Sequence, residues 1–274
     1  MRGGRKTGME DEIKTIPIFD SHFHIIDRHF PLAPNQGYLP DSFTCQDYLN
    51  RTSDLNIVGG AIVSGSFHGF DQGYLIDALN ILGPPFAGVT QLSPSVSDEE
   101  VIKLNRSGGR AIRCNLRRMG PQAMENIETL AKKVYEIAGW HVEFYLDSRD
   151  LPHLFPLLYS LPSISIDHLG LSREGFPHLL RLVEKGARVK ASGFGRVNLH
   201  VKEALTAIHS INPQALMFGT DLPSTRSPRP FSNRDIGLVS DALGEDASRV
   251  FCHNAINFYR PASILEASDP PSIL

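Results

Sequence analysis

Cysteine is scarce: Cys45, Cys114 and Cys252 are the only ones in 274 residues. An odd, scattered set makes a poor disulfide framework and holds no C-x-x-C metal spacing. A reducing cytoplasm is therefore the expected home. An excess of either charge is also missing, with 27 Lys and Arg against 30 Asp and Glu and a net charge of −3. That balance excludes a whole-chain electrostatic case for nucleic acid, which calls for a basic domain or stripe. No apolar run approaches the ~20 residues of a membrane-spanning helix. The longest candidate, Leu151 to Tyr159, is interrupted by Pro152, His153 and Pro156. No apolar stretch follows the basic residues Arg2, Arg5 and Lys6, so residues 1–15 read as a disordered leader rather than a secretory signal. Residues 263–274 read as a loose C-terminal tail. Neither a long linker nor a low-complexity tract divides the remainder, and no signal for an oligomeric state appears.

What is present is alternation. Short apolar segments expected as strands lie at Ile16–Asp20, Ile57–Val63, Phe86–Thr90, Ala111–Asn115, His141–Leu146, Ser163–Asp167, Ala187–Ala191 and Ala215–Gly219. Helix-like stretches fall between them. In Pro121–Ala138, Met124, Ile127, Leu130, Ala131, Val134 and Ile137 recur at three- and four-residue steps, and Gly139 ends the run. Glu203–Ile211 and Asp235–Leu243 are shorter versions. The expected strand starts recur about every 28 residues, which suits a single α/β domain, a (β/α)8 TIM barrel of residues 16–262. A doubly wound open sheet is the second choice, but no G-x-G-x-x-G follows the first strand to support its nucleotide-binding form.

In such a barrel the chemistry sits at the carboxyl ends of the strands, and alternate side chains point to the axis. Asp20, His22 and His24 share one parity, while Phe19, Phe23 and Ile25 take the other. Two imidazoles spaced this way can converge on a cation or a polarised oxygen. Along the fourth strand and just past its end, Arg113, Asn115 and Arg117 alternate with Ile112, Cys114 and Leu116. An inward arginine is costly unless it meets an anion, either a protein carboxylate or one on a substrate. His141, Glu143, Tyr145 and Asp147 alternate equally well; Glu143 or Tyr145 would project inward, or satisfy Arg113. His168 follows the sixth strand directly. Lys190 and Ser192 share a parity ahead of Gly193, Gly195 and Arg196, where glycine permits close backbone approach. Asp221 ends the eighth strand, across the closing seam from the histidines, where it could take a proton from water.

The set Asp-x-His-x-His from Asp20, Asp-His-x-Gly from Asp167 and Gly-Thr-Asp-x-Pro from Gly219 resembles the amidohydrolase superfamily. Within it, the chain is similar to the amidohydrolase-related branch that includes 2-pyrone-4,6-dicarboxylate lactonases and sugar lactonases. Supporting stretches are Phe30 to Tyr38, His68 to Asp71, Arg113 to Leu116, Gly139 to Glu143, Lys190 to Arg196, and Asn254 to Tyr259 as a closing helix. The resemblance runs from about Ile18 to Tyr259 and implies roles. Asp221 would activate water and return its proton to the leaving oxygen. His22, His24 and His168 would orient water and polarise the scissile carbonyl. Arg113 and Arg196 would grip substrate carboxylates, with His68, Tyr145, Arg117 and Ser192 as further substrate-binding candidates.

Two departures bear on cofactor and substrate. Two-metal amidohydrolases use a lysine or glutamate after the fourth strand and a histidine after the fifth; here Arg113 and Glu143 with Tyr145 stand there, and a guanidinium repels a second cation. The expected enzyme needs no cofactor. The alternative is one divalent metal, zinc, on His22, His24, His168 and Asp221. Leu222 and Ser224 stand where the branch commonly carries Trp and His, which touches the substrate rather than the role of Asp221. The favoured reading is a cytoplasmic hydrolase opening a lactone on a small carboxylated molecule, with no nucleic-acid or membrane partner. A metal-dependent decarboxylase of an aromatic or muconate-like acid is the alternative, and a barrel that binds a carboxylated ligand without turnover is a third reading.

Overall fold

The computed structural model describes residues 13–34, 37–117 and 126–261. Eight parallel strands form one sheet in sequence order: β1 (Pro17–Phe23), β2 (Asn56–Val63), β3 (Phe86–Thr90), β4 (Gly109–Asn115), β5 (His141–Tyr145), β6 (Ile164–Ile166), β7 (Arg188–Ala191) and β8 (Leu216–Phe218). A helix follows each strand: α1 (Cys45–Arg51), α2 (Gly73–Leu82), α3 (Asp98–Arg106), α4 (Ile127–Ala138), α5 (Leu151–Ser160), α6 (Phe176–Glu184), α7 (Val201–Ile211) and α8 (Arg234–Leu243). This is the (β/α)8 barrel that the spacing predicts. The last helix, α9 (Asn254–Tyr259), is anchored where the Asn254 side-chain amide donates to the Pro213 and Leu216 carbonyls.

Local signals explain the helix boundaries. Thr44 with Asp47, and Ser97 with Glu100, form reciprocal capping boxes that satisfy the first free N–H groups of α1 and α3. Gly139, at φ 66°, closes α4 in the left-handed conformation that suits glycine. The run from Leu151 is a helix despite its prolines: Pro152 occupies the first turn, where its missing N–H costs nothing, and Pro156 is accommodated inside. Of the expected helix Pro121–Ala138, residues 121–125 lie outside the described set, as do residues 1–12 of the leader and 263–274 of the tail. Ile13, within the expected leader, is instead 4% exposed and joins the core.

The alternation on β4 and β5 holds. Ile112, Cys114, Val142 and Phe144 join the large core between strands and helices, leaving Arg113, Asn115, Glu143 and Tyr145 on the other face. On β1 it does not. Register irregularities between Ile18 and Phe19, and between Asp20 and Phe23, break the strict period of two. Phe19 therefore joins Ala61, Val63, Ala87, Val89, Ala111, Met217 and Tyr259 in a second cluster. Asp20 leaves the parity of His22 and His24 and braces the seam. It accepts hydrogen bonds from the Thr220 backbone N–H (2.8 Å) and hydroxyl (2.6 Å) and from Tyr48 (3.1 Å). Beyond it, the backbone N–H of His24 donates to Leu222 (2.7 Å) and that of Asp221 to His22 (2.7 Å). Gly219 permits this approach: a Cβ there would lie 2.8 Å from the His22 nitrogen.

Candidate active site

The carboxyl ends of the strands surround a cavity of about 320 Å³ lined by His24, Arg113, Asn115, Tyr145, His168, Arg196 and Asp221. Arg117, Arg226, Thr225, Tyr38 and the Gly65–Phe67 loop complete its wall. At its floor, His22 Nε2 and His168 Nε2 each lie 3.8 Å from Asp221 Oδ1. Both His22 Nε2 and Asp221 Oδ1 are buried and have no hydrogen-bond partner among the described residues. His168 and Asp221 adopt left-handed backbone, at φ 50° and 58°, which costs energy for residues with a Cβ.

Asp221 is 1% exposed and joined to Arg196, whose Nε donates to Oδ2 at 2.9 Å and whose Nη2 donates to the same oxygen. Burial raises its carboxyl from 3.8 to about 6, with Arg196 pulling the other way, so the group is an ionised base at neutral pH. Burial and the neighbouring Lys190 charge hold the His22 pKa well below its ordinary value, and burial with Arg113 lowers that of His24 to about 3. All three site imidazoles are neutral, since burial and His22 also keep His168 well below the usual histidine range. The Val63 carbonyl can only accept, so His24 Nδ1 donates to it (2.7 Å) and Nε2 presents a lone pair.

Of the two partners that sequence reasoning left open for Arg113, a protein carboxylate and a substrate carboxylate, the fold supplies the first, and it is Asp167 rather than Glu143. Arg113 Nη2 and Nε donate to Asp167 Oδ2 (3.0 and 3.3 Å) and its Nη1 to the Ser64 carbonyl, while its guanidinium lies 5.6 Å from the Tyr145 ring and lines the cavity. Ser192 stands behind His168, hydrogen-bonded to its Nδ1 at 2.9 Å, and does not line the cavity. His68 is likewise displaced from the candidate binding set. Its Nδ1 accepts the Gly65 N–H (3.0 Å) and its ring stacks on Tyr74, supporting the loop that lines the cavity. The two glycines of the β7 loop make room for the protein's own groups: a Cβ on Gly193 would lie 2.6 Å from His168 Nδ1, and one on Gly195 would lie 1.9 Å from the Arg229 carbonyl oxygen.

Asp167 and Lys190 were not among the expected site residues, and both are fully buried beneath it. Asp167 Oδ1 lies 3.4 Å from His22 Nδ1; against the effect of burial, Arg113 and Lys190 hold its carboxyl below its ordinary value. Asp-His-x-Gly marked the pair Asp167–His168, yet nothing in it reveals that the aspartate reaches Arg113. Tyr38 and Arg226 also escaped sequence reasoning; they stack at the mouth with 4.1 Å between guanidinium carbon and ring centre. As metal ligands, the expected four do not form one set. His22, His24 and Asp221 make one group, and His22, Asp167 and His168 another, the ligand atoms in each lying within 4.8 Å of one another. The first group has the mixed nitrogen and oxygen donors that suit a divalent ion.

Buried histidines and an aspartate thus gather at the strand ends of a (β/α)8 barrel. The chain belongs to the amidohydrolase family, whose model matches residues 19–260. It is 31% identical over 157 residues to the 2-pyrone-4,6-dicarboxylate hydrolase of Comamonas testosteroni, a match covering 55% of this chain and 51%, about half, of that protein. It is 22% identical over 228 residues to the 4-sulfomuconolactone hydrolase of Hydrogenophaga intermedia, covering 75% and 74% of the two chains. A Pseudomonas putida structure named as a 2-pyrone-4,6-dicarboxylic acid hydrolase superposes with a TM-score of 0.76 at 25% identity, covering 89% of this chain and 98% of that one.

Proposed function

We propose that the protein is a hydrolase that opens the lactone ring of a small carboxylate-bearing molecule, with Asp221 activating water. The observation that carries this reading is the unpartnered Asp221 Oδ1, buried 3.8 Å from two imidazole Nε2 atoms at the floor of an arginine-lined cavity. A water molecule, which donates to the carboxylate and accepts from an imidazole N–H, can bridge such a separation. Asp221 takes a proton from water as the water oxygen bonds to the ring carbonyl carbon. The oxyanion is stabilised by N–H groups at the Nε2 atoms of His22 and His168, His24 having its one N–H turned to the Val63 carbonyl. Collapse breaks the bond to the ring oxygen, which recovers the proton from Asp221 and leaves a hydroxy or enol acid. Arg117 and Arg226 at the exposed mouth, with Arg113 and Arg196 deeper in, favour an anionic substrate. The names of the lactone hydrolases to which the chain is similar support the same class of substrate.

No metal enters this reading: Asp221 supplies the base and imidazole N–H groups meet the oxyanion, while Arg113, Arg196 and Lys190 are paired with Asp167, Asp221 and Glu143. The grouping of His22, His24 and Asp221 favours a second reading, a decarboxylase with one zinc ion on those residues that polarises the substrate. A cytoplasmic location is supported by three buried, unpaired cysteines. Among the described residues no helix is long and apolar enough to cross a membrane. A panel of lactones and cyclic carboxylates, assayed by proton release with and without a chelator, tests the proposal. Chelator-resistant release is expected; carbon dioxide evolution that a chelator abolishes would overturn it in favour of the decarboxylase.

A further inference from the structure

We propose that Lys190 is a positioning residue that sets the tautomer of His22, so that His22 presents an Nε2–H donor toward Asp221 and the reacting carbonyl. Lys190 lies on β7, fully buried, with Nζ 3.2 Å from His22 Nδ1. It also donates to Glu143 Oε2, lies 3.7 Å from Asp167 Oδ1 and sits 5.8 Å from the centre of the Tyr259 ring. An ammonium has three hydrogens and no lone pair, so the atom it meets on His22 must be the acceptor. A neutral imidazole carries one N–H, and with Nδ1 accepting, that hydrogen is on Nε2.

The competing arrangement, an Nδ1–H donating to Asp167 Oδ1, has the atoms 3.4 Å apart, yet that oxygen has no hydrogen-bond partner among the described residues. Lys190 is itself held from behind. Glu143 accepts from the Tyr259 hydroxyl and lies 3.1 Å from His141 Nε2, which leaves its other oxygen for the ammonium. The two histidines of one motif therefore differ: His24 offers a lone pair at Nε2, because the Val63 carbonyl takes its Nδ1–H, whereas His22 offers a hydrogen. Both three-residue groups that could hold a metal contain His22. Ligation through its Nε2 would require the proton to move to Nδ1, against Lys190.

The test is a long-range proton–nitrogen correlation spectrum of the full chain carrying 15N-histidine, with the His22 signals identified by their loss in His22→Gln. Nε2 is expected to be protonated and Nδ1 bare. A protonated Nδ1 in the wild type overturns the proposal. In Lys190→Met, checked for folding by circular dichroism, the proton is expected to move to Nδ1. Turnover should then fall about 10²-fold with KM little changed, the penalty of a misplaced proton donor. Lys190→Arg, which keeps a donor, should retain the Nε2–H signal. A folded Lys190→Met that still shows Nε2–H also overturns the proposal; if that variant does not fold, the wild-type spectrum decides alone. Only the kinetic arm rests on the lactone-hydrolase reading. Absence of turnover in every form would count against that reading, while the position of the His22 proton would still decide the role of Lys190.

Discussion

Replacing Arg196 with methionine should move the acidic limb of the rate profile to higher pH. A general base works only when deprotonated, so kcat/KM falls as pH drops through the Asp221 pKa, which burial raises from 3.8 to about 6. Arg196 opposes that rise from Asp221 Oδ2, with its Nε at 2.9 Å. Two unit charges ~4 Å apart at an effective dielectric of ~20 attract by about 4 kcal/mol, and about 1.4 kcal/mol corresponds to one pH unit. The full Coulomb figure would thus displace the limb by about three pH units. The Arg196 side chain is 12% exposed and Arg113 remains nearby, so a displacement of at least about one unit is the firm expectation. Initial rates of ring opening, followed by absorbance from pH 5 to 9 at constant ionic strength, give the midpoint directly. Weaker substrate binding in the variant lowers the height of the profile without moving its midpoint. A midpoint unchanged or shifted downward would refute the assignment of the limb to Asp221.

Three further outcomes follow from the contacts. Ser192→Ala removes the hydroxyl at His168 Nδ1 and should lower kcat about tenfold, within the range for a disturbed proton-transfer group, while thermal stability changes by only about 1 kcal/mol. Asp20→Ala leaves the Thr220 N–H and the Thr220 and Tyr48 hydroxyls without their buried acceptor. At about 1–3 kcal/mol per stranded group, urea unfolding should show a loss of at least about 3 kcal/mol, and a loss below about 1 would contradict the seam's role. Arg117→Met, at the exposed mouth, should raise KM for a carboxylated lactone about tenfold with kcat unchanged, the worth of one charge-assisted hydrogen bond; an unaltered KM would remove Arg117 from the binding surface.

The barrel was legible because each unit repeats the same physics: a short strand with one face toward helices, then a helix with a cap. Its failures have local causes. β1 misled because register irregularities put Phe19 inside and send Asp20 to the seam, and no residue type announces a bulge. The helix at Leu151 carries a weak signal because Pro156 lies inside it, beyond the first turn where Pro152 is tolerated. In the site, His24, His168 and Asp221 reach the cavity from strand ends, as their positions predict, with His22 buried just beneath. His68 and Ser192 stand one layer back, because position after a strand does not separate a side chain that lines a cavity from one that supports the lining. Asp167 and Lys190 were missed for a different reason. Their partners Arg113, Glu143 and His22 come from other strands of the barrel, 54, 47 and 168 residues away, and only closure brings them together.

The central claim is that the Asp221 carboxylate is the base. Turnover of Asp221→Asn, measured by proton release on whichever lactone the wild type opens and with chelator present, tests it most directly. The account predicts a kcat lower by about 10²–10⁴-fold in a variant that folds normally. A rate equal to that of the wild type would contradict it.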